Sequence, residues 1–494
     1  MSAEAATISS GMRISWTRLI ALFTGIGLFI VIYYSPQWPD AIDPAGKPFP
    51  LSVQGKGAIA VFMLAGIWWV FEVVPIGVTS LVIGITQALF MIRPAKEAFN
   101  DFMDPAVLFI FSCLVIGLVF TKTGLTKRLA YKMLGAIGEK TTTIYLGIYL
   151  LITVLTLIMA HTAVAATIYP LLLAVISLYG EGDKPTRFGK GLFMGMAYVC
   201  GAGSIITLLG SARAIVALGF FKEMTGVDTP FFTLTYYMAP VGLLMVFLLW
   251  VFFAVFFKPE KASIPGLRER VRELSANMGA ITRKEILSLI IIFAAIIFMS
   301  LQVTIPALRK IDKTAIILVA TVLFFVLNIL DIEDLELIPW NIVLLFSGAM
   351  SIGYCLWQTG AAEWMAVNWL AMFKNAHWLV FVVSVAFFVM ILTNFIMNVA
   401  AIAIALPVAL VISKYLGVDP TVVMYACLMT AGMPFILLVG AAPNAIAYDS
   451  KQFTSGEFFK YGCLASVILM AVCALACYVI WPILGMPTTI PKAM

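Results

Sequence analysis

The chain has 494 residues, of which 62% are hydrophobic and only 11% charged, with a formal net charge of +6. Soluble globular chains carry about 25% charged residues, so water is excluded as the main solvent of this fold and lipid takes its place. In lipid every backbone N–H and C=O must be paired inside the protein, which leaves helices or a closed barrel. A barrel would show stretches of about ten residues in alternating pattern, whereas runs such as Ile286–Leu301, Ala315–Leu330 and Cys463–Trp481 are long and unbroken. The fold class is therefore an all-α polytopic membrane protein. At about 20 residues per span it has room for roughly ten to thirteen crossings, the size of a transporter or channel.

In chain order, residues 1–55 read as an N-terminal cytoplasmic segment, a retained first helix over Leu19–Tyr34 and an outer loop. Residues 56–257 read as a first repeat, 258–285 as a basic cytoplasmic linker and 286–494 as a second repeat. The linker carries seven basic residues against four acidic ones, while Asp331–Glu336 carries four acidic residues and no base. Basic loops stay on the cytoplasmic side, so the linker and the N-terminus are expected in the cytoplasm and the acidic loop outside. This charge orients the chain in a cell inner membrane and implies no nucleic acid.

The repeat rests on four matches in order. Phe111-Ser112 is answered by Phe346-Ser347, and Thr123-Gly124-Leu125 by Thr359-Gly360-Ala361. Ala160-His161-Thr162-Ala163 with Pro170 is answered by Met397-Asn398-Val399-Ala400 with Pro407. Gly210-Ser211-Ala212-Arg213-Ala214 is answered by Gly440-Ala441-Ala442-Pro443-Asn444. The distance from the Thr-Gly pair to the proline is 47 residues in one half and 48 in the other. Duplicated units with glycine and proline breaks at matching positions point to a secondary transporter whose site lies between broken helices. A break at membrane depth frees N–H groups that attract an anion and carbonyls that attract a cation.

At these residues the sequence resembles the divalent anion:sodium symporter family, the carriers of dicarboxylates, citrate and sulfate. The likeness is strongest over Met433–Tyr448, which looks like that family's run around Thr-Pro-Pro-Asn-Ala. Trp68-Trp69-Val70-Phe71-Glu72 with Pro75 resembles its early helix, Thr123–Ala130 its first re-entrant hairpin exit, and Ile338–Phe346 its second hairpin entry. The resemblance covers roughly residues 56–485 and implies eleven transmembrane helices, two re-entrant hairpins in inverted repeats, a scaffold that forms a homodimer, and a transport domain that moves as an elevator. It also implies Ser-Asn-Thr at each hairpin tip, where this chain has Ala160-His161-Thr162 and Met397-Asn398-Val399.

The candidate substrate-binding residues are His161, Thr162, Ser211, Arg213, Asn398, Ala441, Ala442 and Pro443. Thr393, Asn398, Gly440 and Asn444 match positions of a sodium site, with Na⁺ as coupling ion and no other cofactor. His161 has three readings: a hydrogen bond to the anion, a proton carried in place of a cation, or a brace that holds the tip closed. Arg213 costs several kcal/mol if left to lipid, so it faces a cavity, where its fork suits carboxylate, sulfonate or sulfate, or it snorkels to the surface. A fixed cation at the first sodium position predicts weakened sodium coupling, or exchange of anion for anion. Glu72 and Asp449 are set aside as a cap and a loop residue.

The expected cargo is a C4-dicarboxylate, with sulfate or a sulfonate as the alternative; an anion channel is the alternative of another class. An enzyme would need a nucleophile with its base or a metal-ligand cluster, and the sequence offers neither. The seven cysteines lie in apolar runs without a Cys-x-x-Cys pair and read as small buried hydrophobes.

Overall fold

The apolar runs fold as helices, ten of them long and apolar enough to cross a membrane, with four shorter apolar ones among the described residues. The computed structural model describes residues 16–42, 48–179, 184–302, 305, 308–373 and 377–490; most of the expected cytoplasmic N-terminal segment lies outside them. In chain order come α1 (Trp16–Tyr34), a small β-ribbon pairing Ala41–Ile42 with Pro48–Phe49, α2 (Val53–Val70), α3 (Ile76–Leu89), α4 (Ala95–Asn100), α5 (Pro105–Thr123), α6 (Leu125–Ile137), α7 (Thr141–Thr156), α8 (His161–Tyr179), α9 (Arg187–Ser204), α10 (Ala212–Thr225) and α11 (Phe231–Phe256). The linker helix α12 (Leu267–Ala276) leads to α13 (Arg283–Leu301), α14 (Lys313–Val326), α15 (Ile332–Glu336), α16 (Trp340–Gln358), α17 (Ala361–Phe373), α18 (Trp378–Phe395), α19 (Asn398–Tyr415), α20 (Pro420–Ala431), α21 (Ala442–Asp449) and α22 (Ser455–Leu475). Helices α2 to α11 and α13 to α22 form the same ten-member series twice.

Helix starts are written locally. Asp104 accepts a bond from the Ala106 N–H at 2.7 Å ahead of Pro105, and Asp419 does the same for Thr421 at 2.8 Å ahead of Pro420. Thr282 with Glu285 and Thr454 with Glu457 form capping boxes. Each satisfies donors that would otherwise be orphaned at a helix end.

Loop contacts sort the helix ends onto two faces. Thr141, at the start of α7, donates from its N–H to Ala262 O at 3.0 Å, and Tyr179, at the end of α8, donates to Glu260 at 3.1 Å. Both ends of the α7–α8 pair therefore sit on the linker face, which makes the pair a re-entrant hairpin with its tip at 157–160. The start of α9 is tied there too, because the Arg187 N–H donates to Glu260 at 2.5 Å. Burial acts to raise the Glu260 carboxyl, but the backbone donors of Arg187 and Phe188 outweigh it and hold it below the usual carboxylate range.

The end of α10 lies on the opposite face, where Asp228 pairs with Lys313 at 3.0 Å. The end of α19 is there as well, since Lys414 donates to Met224 O at 3.1 Å. The α18–α19 hairpin, with its tip at 396–397, thus enters from the face opposite to that of α7–α8. Counting each broken pair, α9–α10 and α20–α21, as one pass, the described residues make eleven passes and two re-entrant hairpins.

Three expectations are corrected. Thr123–Ala130 is no hairpin exit: Gly124, at φ 83°, turns the chain out of α5 into α6, which packs on linker helix α12. Ile338–Phe346 is no hairpin entry but the start of the continuous α16. The hairpins lie further along the chain, as α7–α8 and α18–α19, with the proline-bearing helices α8 and α19 as their second arms. The acidic loop shares the face of the basic linker. Lys122, at the end of α5, pairs with Asp331 at 3.1 Å and with Asp334, while Arg128, six residues on, pairs with Glu285 at 2.8 Å. Helices α13 and α14 cross and return, so the two loops of opposite charge face each other.

The halves interlock. Helix α3 packs on α16 and α5 on α14, α10 lies on α19 and α21 on α8. Buried polar groups seal the first seam: Gln87 donates to Ser351 at 2.9 Å, and Arg93, paired within its own half to Asp101 at 2.7 Å, reaches Ser351 O at 3.5 Å.

Candidate functional site

The two hairpin tips and the two helix breaks converge on one cavity of about 310 Å³. The first tip contributes Ala160 to Ala163, and the first break contributes Gly210, Ala212 and Arg213. The second tip contributes Met397 to Val399, and the second break Gly440 to Ala442. One wall is α5, from Cys113 to Thr121, and another is the start of α16, from Leu337 to Phe346. Thr121 and the 67%-exposed Leu337 stand at its rim, so the cavity opens toward the linker face.

Of the candidate substrate residues, His161, Thr162, Arg213, Asn398, Ala441 and Ala442 line this space, and Ser211 and Pro443 do not. Ser211 is buried as the residue preceding α10, and Pro443 is buried in the first turn of α21, where its missing N–H is no loss.

Arg213 does not reach the membrane surface. It is 2% exposed, its Nη2 donates to Ser204 Oγ at 3.0 Å, and its Nε has no partner. The guanidinium sits where α9 ends at Ser204 and also against Gly432, the residue that ends α20. A Cβ on Gly432 would stand 2.2 Å from Nη2. Two helix C-termini, each equivalent to about half a negative charge, thus flank the cation, and no carboxylate pairs with it among the described residues. His161 opens α8 with an enclosed and unpartnered Nδ1, close enough to Arg213 for the two to interact electrostatically.

The second half places neutral oxygens at the matching positions. Thr393 Oγ1 lies 2.9 Å from both Asn398 Oδ1 and Ala431 O. Gly440 is pressed onto the same threonine, since a Cβ there would stand 3.0 Å from Thr393 O. Thr393, Asn398 and Gly440 therefore meet, whereas Asn444 faces elsewhere: its Nδ2 donates to Pro434 O at 2.8 Å and Leu437 O at 3.1 Å. Asn394 completes the brace by accepting from the N–H groups of Ile436 and Leu437 at 2.8 and 3.1 Å. These side chains satisfy backbone that would otherwise be unpaired at membrane depth. Neutral hydroxyl, amide and carbonyl oxygens suit a hard cation such as Na⁺; among the described residues no group of three or more His, Cys, Asp or Glu is placed to hold a metal.

Three residues escaped the sequence reading. Thr156 stands five residues before His161, as Thr393 stands five before Asn398, and a Cβ on Gly210 would stand 2.0 Å from Thr156 O. That offset was a usable signal. Ser204 and Gly432, which frame the guanidinium, carry no local signal, because their role comes from helices that meet only in the folded chain. Glu72, set aside above, takes the left-handed conformation at φ 43° and borders a second cavity of about 330 Å³ beside the tip residues Phe395 to Met397.

Residues 41–487 match the sodium:sulfate symporter transmembrane region. The chain is 24% identical over 470 residues to a sodium-dependent dicarboxylate transporter of Staphylococcus saprophyticus, covering 90% of each chain. It is 28% identical over 468 residues to an uncharacterized transporter of Methanocaldococcus jannaschii, covering 93% of this chain and 98% of the relative. Among solved structures, Neisseria gonorrhoeae MtrF, described as illuminating a class of antimetabolite efflux pumps, superposes with a TM-score of 0.58 over 98% of both chains at 13% identity; this likeness concerns the fold alone. With hairpin tips and helix breaks of both halves meeting in one cavity, and a family match spanning nearly the whole chain, the protein is a member of the divalent anion:sodium symporter family.

Proposed function

We propose that the chain is a secondary carrier of small organic anions across the cytoplasmic membrane, with C4-dicarboxylates the first candidates because relatives are named for them. The observation that carries the reading is the unpartnered Nε of Arg213, buried in the cavity between both hairpins with His161 beside it. A buried charge without a counterion is strongly unfavourable, and an anion entering this cavity supplies one. Ser204, Gly432 and the two helix ends hold the guanidinium at the cavity wall. Thr162 and Asn398 offer further donors.

Coupling follows from the contrast between the halves. Thr393, Asn398 and the backbone near Gly440 hold one Na⁺ in the second half. In the first half Arg213 stands as a permanent cation, so one sodium is dispensable and anion exchange is within reach. Alternating access proceeds by an elevator movement of the hairpins and broken helices against a scaffold that dimerises. With the basic linker read as cytoplasmic, the cavity mouth opens to that side.

Counterflow of radiolabelled succinate into proteoliposomes, with and without a sodium gradient, tests this. Saturable uptake driven by internal anion and raised at most modestly by sodium is expected. Strict dependence on two or more sodium ions per cycle would refute the substitution by Arg213, and current far above carrier turnover would make the protein a channel.

A further inference from the structure

The cavity opens toward the linker face, and alternating access requires the same residues to open toward the other face as well. On the elevator reading the hairpins and the broken helices carry the site, while α5, α13, α14, α16 and α17 stay behind. In the first half the two sets meet along α10, which packs on α5 and α16. Glycines smooth this seam: a Cβ on Gly219 would stand 2.9 Å from Met350 Cε, and one on Gly353 would stand 2.1 Å from the Phe220 ring. Apolar contact is non-directional, so it survives a slide along the helix.

The end of the seam opposite the linker is ionic. Lys313 donates to Asp228 at 3.0 Å and to Thr229 O at 3.1 Å. Lys222 lies 3.4 Å from Asp228 and 4.0 Å from Asp312. Lys222 is in the last turn of α10 and Asp228 follows it, whereas Asp312 caps α14 and Lys313 opens it. Thr314 donates to Pro105 O at 3.1 Å and so ties this end of α14 to α5. Burial acts to raise the Asp228 carboxyl, but Lys313 and Lys222 outweigh it and hold it below the usual carboxylate range. In the second half, Tyr415 at the end of α19 donates to Glu363 of α17 at 3.3 Å on the same face. Lys414 joins the two carrying ends through Met224 O at 3.1 Å.

The ion pairs described on the linker face do not cross between the sets. Lys122 with Asp331 and Asp334 joins α5 to α15, and Arg128 with Glu285 joins α6 to α13. Lys190 with Glu457 joins α9 to α22, which itself packs on α18 and α20. A movement of the carrying set away from the linker therefore leaves those pairs intact. It draws Lys222 and Asp228 past Asp312 and Lys313 and breaks the bonds between them.

We propose that Lys222, Asp228, Asp312 and Lys313 form an ionic latch that holds the carrier open toward the linker face and slows the movement that exposes its site to the other side. This rests on the elevator reading above.

Spin labels at Lys184→Cys, ahead of α9, and Arg283→Cys, at the start of α13, report one set against the other. Both positions are exposed, and the seven native cysteines are buried or half-buried. Distances between the labels are measured by electron paramagnetic resonance on the full chain in lipid nanodiscs, with succinate counterflow followed in parallel. Two distances are expected, the linker-open one in excess. Lys313→Met lowers that excess about fivefold, and Lys313→Arg keeps it. Salt at about 1 M, where the screening length is ~3 Å, lowers it in the parent. Lys122→Met, which breaks a pair within one set, leaves it unchanged. Equal ratios in Lys313→Met and the parent, or an equal fall in Lys122→Met, overturn the latch and leave the elevator reading standing. A single, unchanging distance beside active counterflow overturns the elevator reading and the latch with it.

Discussion

The two hairpin tips are built on one plan and filled with different chemistry. In the second half, Thr393, Asn398 and Gly440 gather neutral oxygens at the end of α18, an arrangement suited to a small cation that comes and goes. In the first half the matching Thr156, His161 and Gly210 are followed by Arg213, whose guanidinium lies at the C-termini of α9 and α20. Helix C-termini attract positive charge in both halves. One half gathers neutral oxygens near its tip, and the other carries a covalently held cation. A duplicated fold thus keeps its backbone geometry while the two copies differ in chemistry, which is the contrast the proposed division between coupling and anion binding rests on.

The largest effect expected of breaking this contrast is that of Arg213→Ala. Removing one partner of a buried charged contact costs about 2–5 kcal/mol, so saturable counterflow falls by a factor of ~30 or more while the protein stays folded in the membrane; unchanged uptake would remove Arg213 from the site. Next comes Gly210→Ala, where the new Cβ would stand 2.0 Å from a backbone carbonyl. Overpacking of this kind costs about 1–3 kcal/mol, and the thermal midpoint should drop more than in Gly440→Ala, whose nearest neighbour is Pro434 Cβ at 2.7 Å. Equal drops would mean that the two breaks are packed alike.

Gly432→Ala would set its Cβ 2.2 Å from Arg213 Nη2 and 2.8 Å from Ile205 Cγ2. It should displace the guanidinium and weaken anion affinity, with a smaller loss of stability than Gly210→Ala, whose clash is with backbone. In the second half, Asn398→Ala should raise the sodium concentration needed for half-maximal uptake, or remove any sodium stimulation; an unaltered sodium response would place the ion elsewhere. The smallest effect is expected of Glu260→Gln at the anchor of the first hairpin. The folded-state carboxyl is held below its ordinary value, so its stabilisation is present above that ordinary range and disappears as the pH falls through the folded value. The variant should melt slightly below the parent at neutral pH and together with it in strong acid.

Much of this architecture was legible in the chain. Ala160-His161-Thr162 and Met397-Asn398-Val399, each followed by a proline, located both hairpin tips, and the two glycine-led pentapeptides located both breaks. Such features are legible because a helix interrupted inside an apolar run needs residues that tolerate the interruption. The exit of the first hairpin and the entry of the second were both placed too early along the chain, since α6 and α17 follow the Thr-Gly pairs and only the folded chain shows that the arms are α7–α8 and α18–α19. The side assigned to Asp331–Glu336 failed for a related reason. Four acidic residues suggest an outer loop, but Lys122 and the nearby Lys284 neutralise them on the linker face, and that neighbour relation is invisible until α5 and α15 are brought together.

By itself the sequence determined a lipid-solvated helical chain, its two matched halves, its breaks and the presence of an arginine at one of them. These follow from hydropathy, repeat spacing and glycine or proline placement, all properties of residues close along the chain. Only the tertiary structure decided that Arg213 ends between Ser204 and Gly432 rather than at the membrane surface, and that Asn444 braces backbone rather than facing the cavity. Those outcomes depend on which helix ends meet at depth, and there the cost of leaving a buried polar group unpaired fixes each partner across separations that no local pattern records.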